Sequence, residues 1–128
     1  MIGIVVVANG NLAIELCDCL EEILGQQQNI QAITIEGNHN RQDKEAEICH
    51  AICHVEQGDG VILLTDIYGS SPSNLSICAC NKEKGLILTG VNLPMLLKLA
   101  KCRNKSLEEA ATLALNAGRH HIQLYNKD

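Results

Sequence analysis

Short runs of apolar residues alternate along this chain with longer amphipathic segments. The short runs are rich in β-branched side chains and have few polar interruptions, a pattern typical of strands buried on both faces of a parallel sheet. The predicted strands are Ile2–Ala8, Ile30–Ile35, Val61–Thr65 and Leu86–Thr89, with a short terminal strand at His121–Tyr125.

Between these strands, apolar residues recur at helical spacing. The predicted helices are Leu12–Leu24, Asp43–Val55, Pro72–Cys80, Pro94–Ala100 and a last helix that opens at the capping box Ser106–Glu109 and ends at Gly118. The inward face of the first helix is predicted to carry Leu12, Leu16, Cys19, Leu20 and Ile23. That of the second is predicted to carry Ile48, Ile52 and Val55.

This alternation of strands and helices predicts an α/β fold, an open parallel four-stranded sheet with helices on both faces. The length of 128 residues fits one domain covering residues 1–128. Ligands of such sheets bind beyond the carboxyl ends of the strands. The loops expected at that edge contain Asn9-Gly10, Glu36–Asn40, Asp66–Ser71 and Gly90–Asn92.

The loop after the third strand has the most distinctive chemistry of the four. Asp66 is followed by Tyr68, Gly69, Ser70 and Ser71, and Pro72 then opens a helix. The backbone N–H groups of such a loop, the start of the helix and the two hydroxyls suit an anion. Asp66 suits the orientation of a histidine. The alternative is a simple turn followed by a helix cap. It accounts for the other residues of this loop but gives no role to Asp66.

Composition argues against a nucleic-acid partner, and we expect the chain in the cytoplasm. The net charge is −5 and aromatic residues make up 2%, so a nucleic-acid partner is not expected. We find no signal peptide and no apolar run long enough to span a bilayer. The seven cysteines are therefore expected to stay reduced.

The second helix carries a Cys and a His pair, each with a spacing of four residues. They are Cys49 with Cys53 and His50 with His54. With Ile48 and Ile52 facing the core, the cysteines flank that face and the histidines point to solvent. The four side chains diverge, so we expect no metal site, and nothing in the chain calls for a cofactor.

Two separated motifs resemble the EIIA component of the mannose family of the bacterial sugar phosphotransferase system. Asp66–Asn74 is similar to that family's aspartate-aromatic-glycine-serine-proline loop, and Gly90–Leu96 to its segment after the fourth strand. The first strand, its small-residue turn and Leu12-Ala13 also fit. The resemblance covers essentially the whole chain in order and length.

The resemblance implies a phosphocarrier that relays phosphate from the histidine carrier protein toward an EIIB domain. It also implies a homodimer that exchanges the C-terminal strand, and contact with the membrane only through the transporter subunits. The family's acceptor histidine follows the first strand directly before a glycine, where this chain has Asn9-Gly10. An amide nitrogen cannot serve as that nucleophile.

The site residues implied are Asn9 at the acceptor position and Asp66 beside it, with phosphate bound by Gly10, Gly69, Ser70 and Ser71. Tyr68, Asn92 and His39 are expected nearby, and His39 is a substitute acceptor to be considered.

Three other functions are alternatives, and two of them lack a sequence feature that they require. One is a regulatory EIIA paralogue that binds partners without accepting phosphate. A receiver domain phosphorylated on Asp66 would need a second carboxylate after the first strand, and none is present. A nucleotide-binding domain would need a glycine-rich phosphate loop, which is also absent. The residues do not identify a sugar.

Overall fold

The computed structural model of the protein describes residues 1–67, 71, 72, 74 and 85–126. Its strands are β1 (Gly3–Asn9), β2 (Ile30–Ile35), β3 (Val61–Thr65) and β4 (Gly85–Thr89). They form one sheet of order β2-β1-β3-β4, in which every pair is parallel. The predicted open parallel sheet is confirmed, with β1 in its interior.

Within the described residues, four complete helices connect or follow these strands. They are α1 (Leu12–Leu24), α2 (Arg41–Val55), α3 (Leu93–Lys101) and α4 (Leu107–His120). Helix α2 begins two residues earlier than predicted because the side chain of Asn40 caps it, accepting a hydrogen bond from Asp43 N at 3.0 Å. Of the predicted helix Pro72–Cys80, Pro72 and Asn74 are helical and the rest lies outside the described residues. Within the described ranges, no helix is long and apolar enough to cross a bilayer.

Strand β1 divides its side chains between two apolar clusters. Ile4 and Val6 pack in a cluster with residues of α1, α3 and α4, whereas Val5 and Val7 pack in a second cluster with residues of α2. Helices therefore cover both faces of the sheet, as the sequence predicts. The alternation follows from the period-two geometry of a strand.

Helix α1 is rotated relative to its predicted orientation. Leu12 and Ile23 were expected to face inward, but they are 42% and 56% exposed, and Cys19 is also exposed. The face that packs on the core consists of Ala13, Leu16, Cys17, Leu20 and Leu24. This stripe has the regular three- and four-residue spacing, and the small Ala13 lies against the sheet where Leu12 was predicted.

Gly118 does not end the last helix, contrary to the prediction. Helix α4 continues to His120, and Gly118 is buried within it. A Cβ at this position would lie 3.0 Å from Met95 Cε and 3.2 Å from Asn92 Oδ1. Glycine at this position therefore suits the close packing of α4 on α3, because a larger residue would push against Met95 and Asn92.

The apolar side chains of the C-terminal segment are exposed. His121 lies in a turn, and residues 122–126 belong to no strand of the chain. Ile122, Leu124 and Tyr125 are 74%, 98% and 82% exposed. Among the described residues, β4 has a neighbouring strand on one side only. Strand exchange requires a second chain and remains a prediction.

A buried arginine connects the amino-terminal ends of β1 and β2. Arg103 is 5% exposed; its Nε donates to Ile2 O at 2.8 Å and its Nη2 to Asn29 O at 2.9 Å. Burial lowers the pKa of this guanidinium, because the charged form is desolvated. The carbonyl oxygens offset that desolvation and fix the turns at this end of the sheet.

We expect Arg103→Met to lower the free energy of unfolding by about 2–4 kcal/mol, because two charge-assisted hydrogen bonds are lost in a buried setting. Urea denaturation followed by circular dichroism measures the change. Lys105→Met, at an exposed position of the same turn, is the matched control and should change stability by less than about 0.5 kcal/mol. Equal effects of the two substitutions would contradict this role for Arg103.

Candidate functional site

The carboxyl ends of all four strands lie at one edge of the sheet. Parallel pairing aligns Asn9 with Ile35 and Thr65 with Thr89. Val91 N donates to Thr65 O at 2.9 Å, so the segment leaving β4 stays close to the end of β3. Open parallel sheets bind ligands at this edge.

At this edge, the two central strands are joined by Asn9 and Asp66. Asn9 donates twice to Asp66 Oδ2, from its backbone N at 3.0 Å and from its side-chain Nδ2 at 2.9 Å. The other carboxylate oxygen, Oδ1, accepts from Ile67 N at 2.8 Å. Both oxygens of Asp66 are thus held by neighbouring N–H groups, and the side chain of Asn9 is oriented by a charged partner.

Gly10 allows the chain to leave β1 beside this pair. Its φ is +60°, in the left-handed region that favours glycine. Gly10 N still donates to Ile35 O at 3.2 Å, which continues the β1–β2 ladder by one residue. The turn into α1 therefore begins immediately after Asn9, and both Asn9 and Gly10 are exposed.

The predicted anion loop is described only at its two ends. Asp66 is half-buried, Ser71 is exposed at the start of a helical segment, and Tyr68, Gly69 and Ser70 lie outside the described residues. The structure brings Asn9 and Asp66 together. The convergence of Gly69, Ser70 and Ser71 on the same anion stays a prediction.

His39 is tied into its own loop. Its ring Nδ1 lies 2.6 Å from Glu36 O, and its backbone N donates to the same oxygen at 3.2 Å. The ring is half-buried. These contacts fix His39 in the turn between β2 and α2, on the edge where the sequence places it.

Asn92 links two helices at this edge. Its Oδ1 accepts from Met95 N at 3.0 Å, which caps α3, and its Nδ2 donates to Gly118 O at 3.0 Å, which ties α3 to the end of α4. The side-chain oxygen and nitrogen of Asn92 are both engaged in holding helices together. The sequence predicts its place near the site but gives no sign of this link.

The cysteines and histidines of α2 do not assemble into a metal centre. His50 and His54 are exposed, as predicted, and Ile48 and Val55 are buried. Among the described residues, no three His, Cys, Asp or Glu side chains are grouped closely enough to hold a metal ion. On α1, burial and the charges of Glu21 and Asp18 raise the pKa of Cys17 to about 11, so its thiol is protonated at neutral pH.

Exposed apolar side chains flank the Asn9–Asp66 pair, and the sequence interpretation missed them. Leu12 and Ile14 follow Asn9 at the start of α1 and are both 42% exposed; Ile67 directly follows Asp66 and is 64% exposed. A better assignment of the helical phase of α1 would have found Leu12. Such exposed apolar residues beside a polar site are typical of a surface that docks a protein.

The fold and this edge define an α/β module whose candidate site lies between the ends of its two central strands. Residues 3–115 match the family EIIA-man, described as the phosphotransferase-system fructose IIA component. The chain therefore belongs to the EIIA family of the sugar phosphotransferase system.

Individual relatives agree with this assignment. The chain is 30% identical over 125 residues to the mannose-specific EIIAB component from Escherichia coli K12; the match covers 95% of this chain and 39% of that protein. It is 25% identical over 104 residues to the fructose-specific EIIA component from Bacillus subtilis, covering 80% and 71% of the two chains.

A solved structure shares the fold. The crystal structure of the EIIA component from Streptococcus agalactiae superposes with a TM-score of 0.86 at 23% identity, covering 97% of both chains.

We expect the Asn9–Asp66 side-chain bond to be worth about 1 kcal/mol, because one partner is charged but the pair is exposed. A double-mutant cycle of Asn9→Ala and Asp66→Ala, measured by urea denaturation, isolates this bond. The backbone N of residue 9 is present in all four proteins, so its hydrogen bond to Asp66 does not enter the coupling term. A coupling energy near zero would show that the two side chains are not bonded in solution.

Proposed function

We propose that residues 1–128 form one EIIA-type module whose acceptor position is occupied by Asn9. The observation that carries this proposal is the double hydrogen bond from Asn9 to Asp66 at the carboxyl edge of the sheet. In this module Asp66 orients the side chain that follows β1. In a phosphocarrier that side chain is a histidine; here it is an amide.

Asn9 lies where the acceptor histidine of a phosphocarrier would lie, but its side chain cannot act as the nucleophile. A phosphocarrier needs an imidazole nitrogen with an available lone pair, whereas the lone pair of an amide nitrogen is delocalised into the carbonyl. The chain as it stands therefore does not carry phosphate on residue 9. Asp66 is a poor substitute, since an acyl phosphate requires a divalent cation and a second carboxylate to hold it.

The orientation of the amide favours a second function, that of a regulatory module which binds partners without phosphate transfer. Because Nδ2 of Asn9 donates to Asp66, Oδ1 lies on the other side of the planar group and presents an acceptor. A neutral imidazole held by Asp66 through Nδ1–H would likewise present the lone pair of Nε2. Asn9 thus imitates an unphosphorylated histidine.

The partners of this module are the histidine carrier protein and an EIIB domain, and its location is the cytoplasm. The exposed apolar side chains of Leu12, Ile14 and Ile67 beside the site support protein docking there. Contact with the membrane is indirect, through the transporter subunits.

The module is a homodimer formed by exchange of the C-terminal strand. Support comes from two complementary features, a C-terminal segment with exposed Ile122 and Leu124 and a β4 edge that no other described strand covers. Pairing of the segment with β4 of a second copy would satisfy both.

We expect no phosphate on the original chain and one phosphoryl group on Asn9→His when each is incubated with phosphoenolpyruvate, enzyme I and the histidine carrier protein. Asp66 and Gly10 are already placed to orient the new imidazole. Intact-protein mass spectrometry at neutral pH detects the product. Adding Asp66→Ala to Asn9→His should slow phosphorylation by an order of magnitude or more, because the imidazole loses its orienting carboxylate.

His39→Gln tests whether His39 has become the phosphate acceptor. It should leave phosphorylation unchanged both in the original chain and in Asn9→His. Phosphorylation of the original chain that disappears with His39→Gln would show that the acceptor has moved to His39. If the Asn9→His protein folds but no carrier modifies it, the phosphocarrier origin of the site is wrong. Similar affinity of the carrier protein for the original and Asn9→His chains would support the regulatory function.

The dimer has its own test. We expect a native mass twice that of one chain at micromolar concentration, measured by light scattering after size exclusion. Deletion of all residues after Arg119 should give a monomer, because the pairing segment is removed, whereas deletion of residues 127–128 alone should leave the dimer intact. A monomer before any deletion, or a dimer that survives the longer one, would exclude strand exchange.

A further inference from the structure

A groove with an apolar floor and a cationic rim lies between α3 and the end of α4. Its volume is about 330 Å³. Lys98 and Lys101 supply the positive charge of the rim, and His121 also lines the groove. The floor is formed by Leu93, Pro94, Leu97 and Ala117. The proposed phosphate site does not account for this surface.

The two lysines are available for a partner. Lys98 and Lys101 are three residues apart, are both exposed, and form no hydrogen bond or ion pair with the described residues. They lie in the last turn of α3, where the helix dipole favours cations, and no described residue pairs with their charges.

The charge of this region is opposite to that of the chain as a whole. The net charge is −5, yet residues 82–128 contain eight of the ten Lys and Arg and only four of the fifteen Asp and Glu. Basic residues are thus concentrated in the part of the sequence that contains the groove, and the exposed Lys98 and Lys101 favour an acidic partner by electrostatic complementarity.

We propose that this groove docks an acidic amphipathic helix of a partner protein. Its apolar side chains would lie on the floor, and its carboxylates would pair with Lys98 and Lys101. Two helices that leave an apolar groove between them are suited to a third helix. The nine residues of α3 offer a contact of roughly 13 Å, or between two and three turns of the bound helix.

The docked helix would reach the functional edge without occupying the site. Asn92 Nδ2 donates to Gly118 O at 3.0 Å, so the groove at Leu93 and Ala117 begins at that edge, and it runs from there toward Lys101. The partner can therefore be held beside the Asn9–Asp66 pair through contacts that do not involve that pair.

A fluorescein-labelled synthetic helix of about 15 residues, with a leucine face and Glu at positions three apart, tests this proposal by fluorescence anisotropy. We expect saturable binding that weakens as salt is raised. The double substitution Lys98→Glu/Lys101→Glu should weaken binding by about tenfold or more, because attraction becomes repulsion at two positions. Lys105→Glu, the same change at an exposed residue outside the groove, should change the affinity by less than about twofold.

A companion peptide with Lys in place of every Glu should bind at least about tenfold more weakly to the original chain. Amide chemical shifts of the protein should change mainly along α3 and the last two turns of α4 on titration with the acidic peptide.

Three results would overturn the proposal: no saturable binding of the acidic peptide, equal binding of both peptides, or shift changes concentrated on α1 or α2. Loss of dimer mass in Lys98→Glu/Lys101→Glu would show instead that a second copy covers the groove, which also rules out the partner helix.

Discussion

Burial of β1 on both faces is the constraint on which the rest of this structure depends. Every side chain from Ile4 to Ala8 is fully buried, so helices must cover both faces of the sheet. Helices on both faces are provided by crossover connections between parallel strands. Parallel strands in turn place all their carboxyl ends at one edge. Asn9 meets Asp66 because the two central strands end there side by side.

At that edge, the position of the side chain of residue 9 and its chemical reactivity depend on different features. Position depends on the strand register, on Gly10 and on the carboxylate of Asp66, and all three are present in this chain. Reactivity depends on one lone pair of an imidazole, which Asn9 lacks. A hydrogen-bond donor of similar volume satisfies Asp66 equally well, so the fold gains nothing further from a histidine. Under the proposed function, one residue exchange would therefore remove phosphate chemistry while the hydrogen bonds to Asp66 remain.

The sequence predicts most of the fold because strongly apolar runs decide it locally. The four strands, their parallel pairing and the inward face of α2 were predicted from the apolar runs and their period. The misassigned features depend on long-range packing. Helix α1 packs with Ala13 on the core, and Gly118 lies inside α4, where Met95 and Asn92 come close enough to crowd a Cβ. No local pattern predicts the contacts of Arg103 with Ile2 and Asn29, which are distant in sequence.

The candidate site and the surfaces around it likewise combine features that the local sequence predicts with features that depend on packing. Asn9 and Asp66 were predictable as a pair because each directly follows a recognisable strand. The exposed side chains of Leu12 and Ile67 were not, since exposure depends on how α1 and the loop after β3 pack. Docking energy comes from such apolar and charged surfaces rather than from the nucleophile. Under the proposed function, a module without the nucleophile would therefore still have two surfaces for recognising proteins, one at the edge of the sheet and one along the groove of α3 and α4.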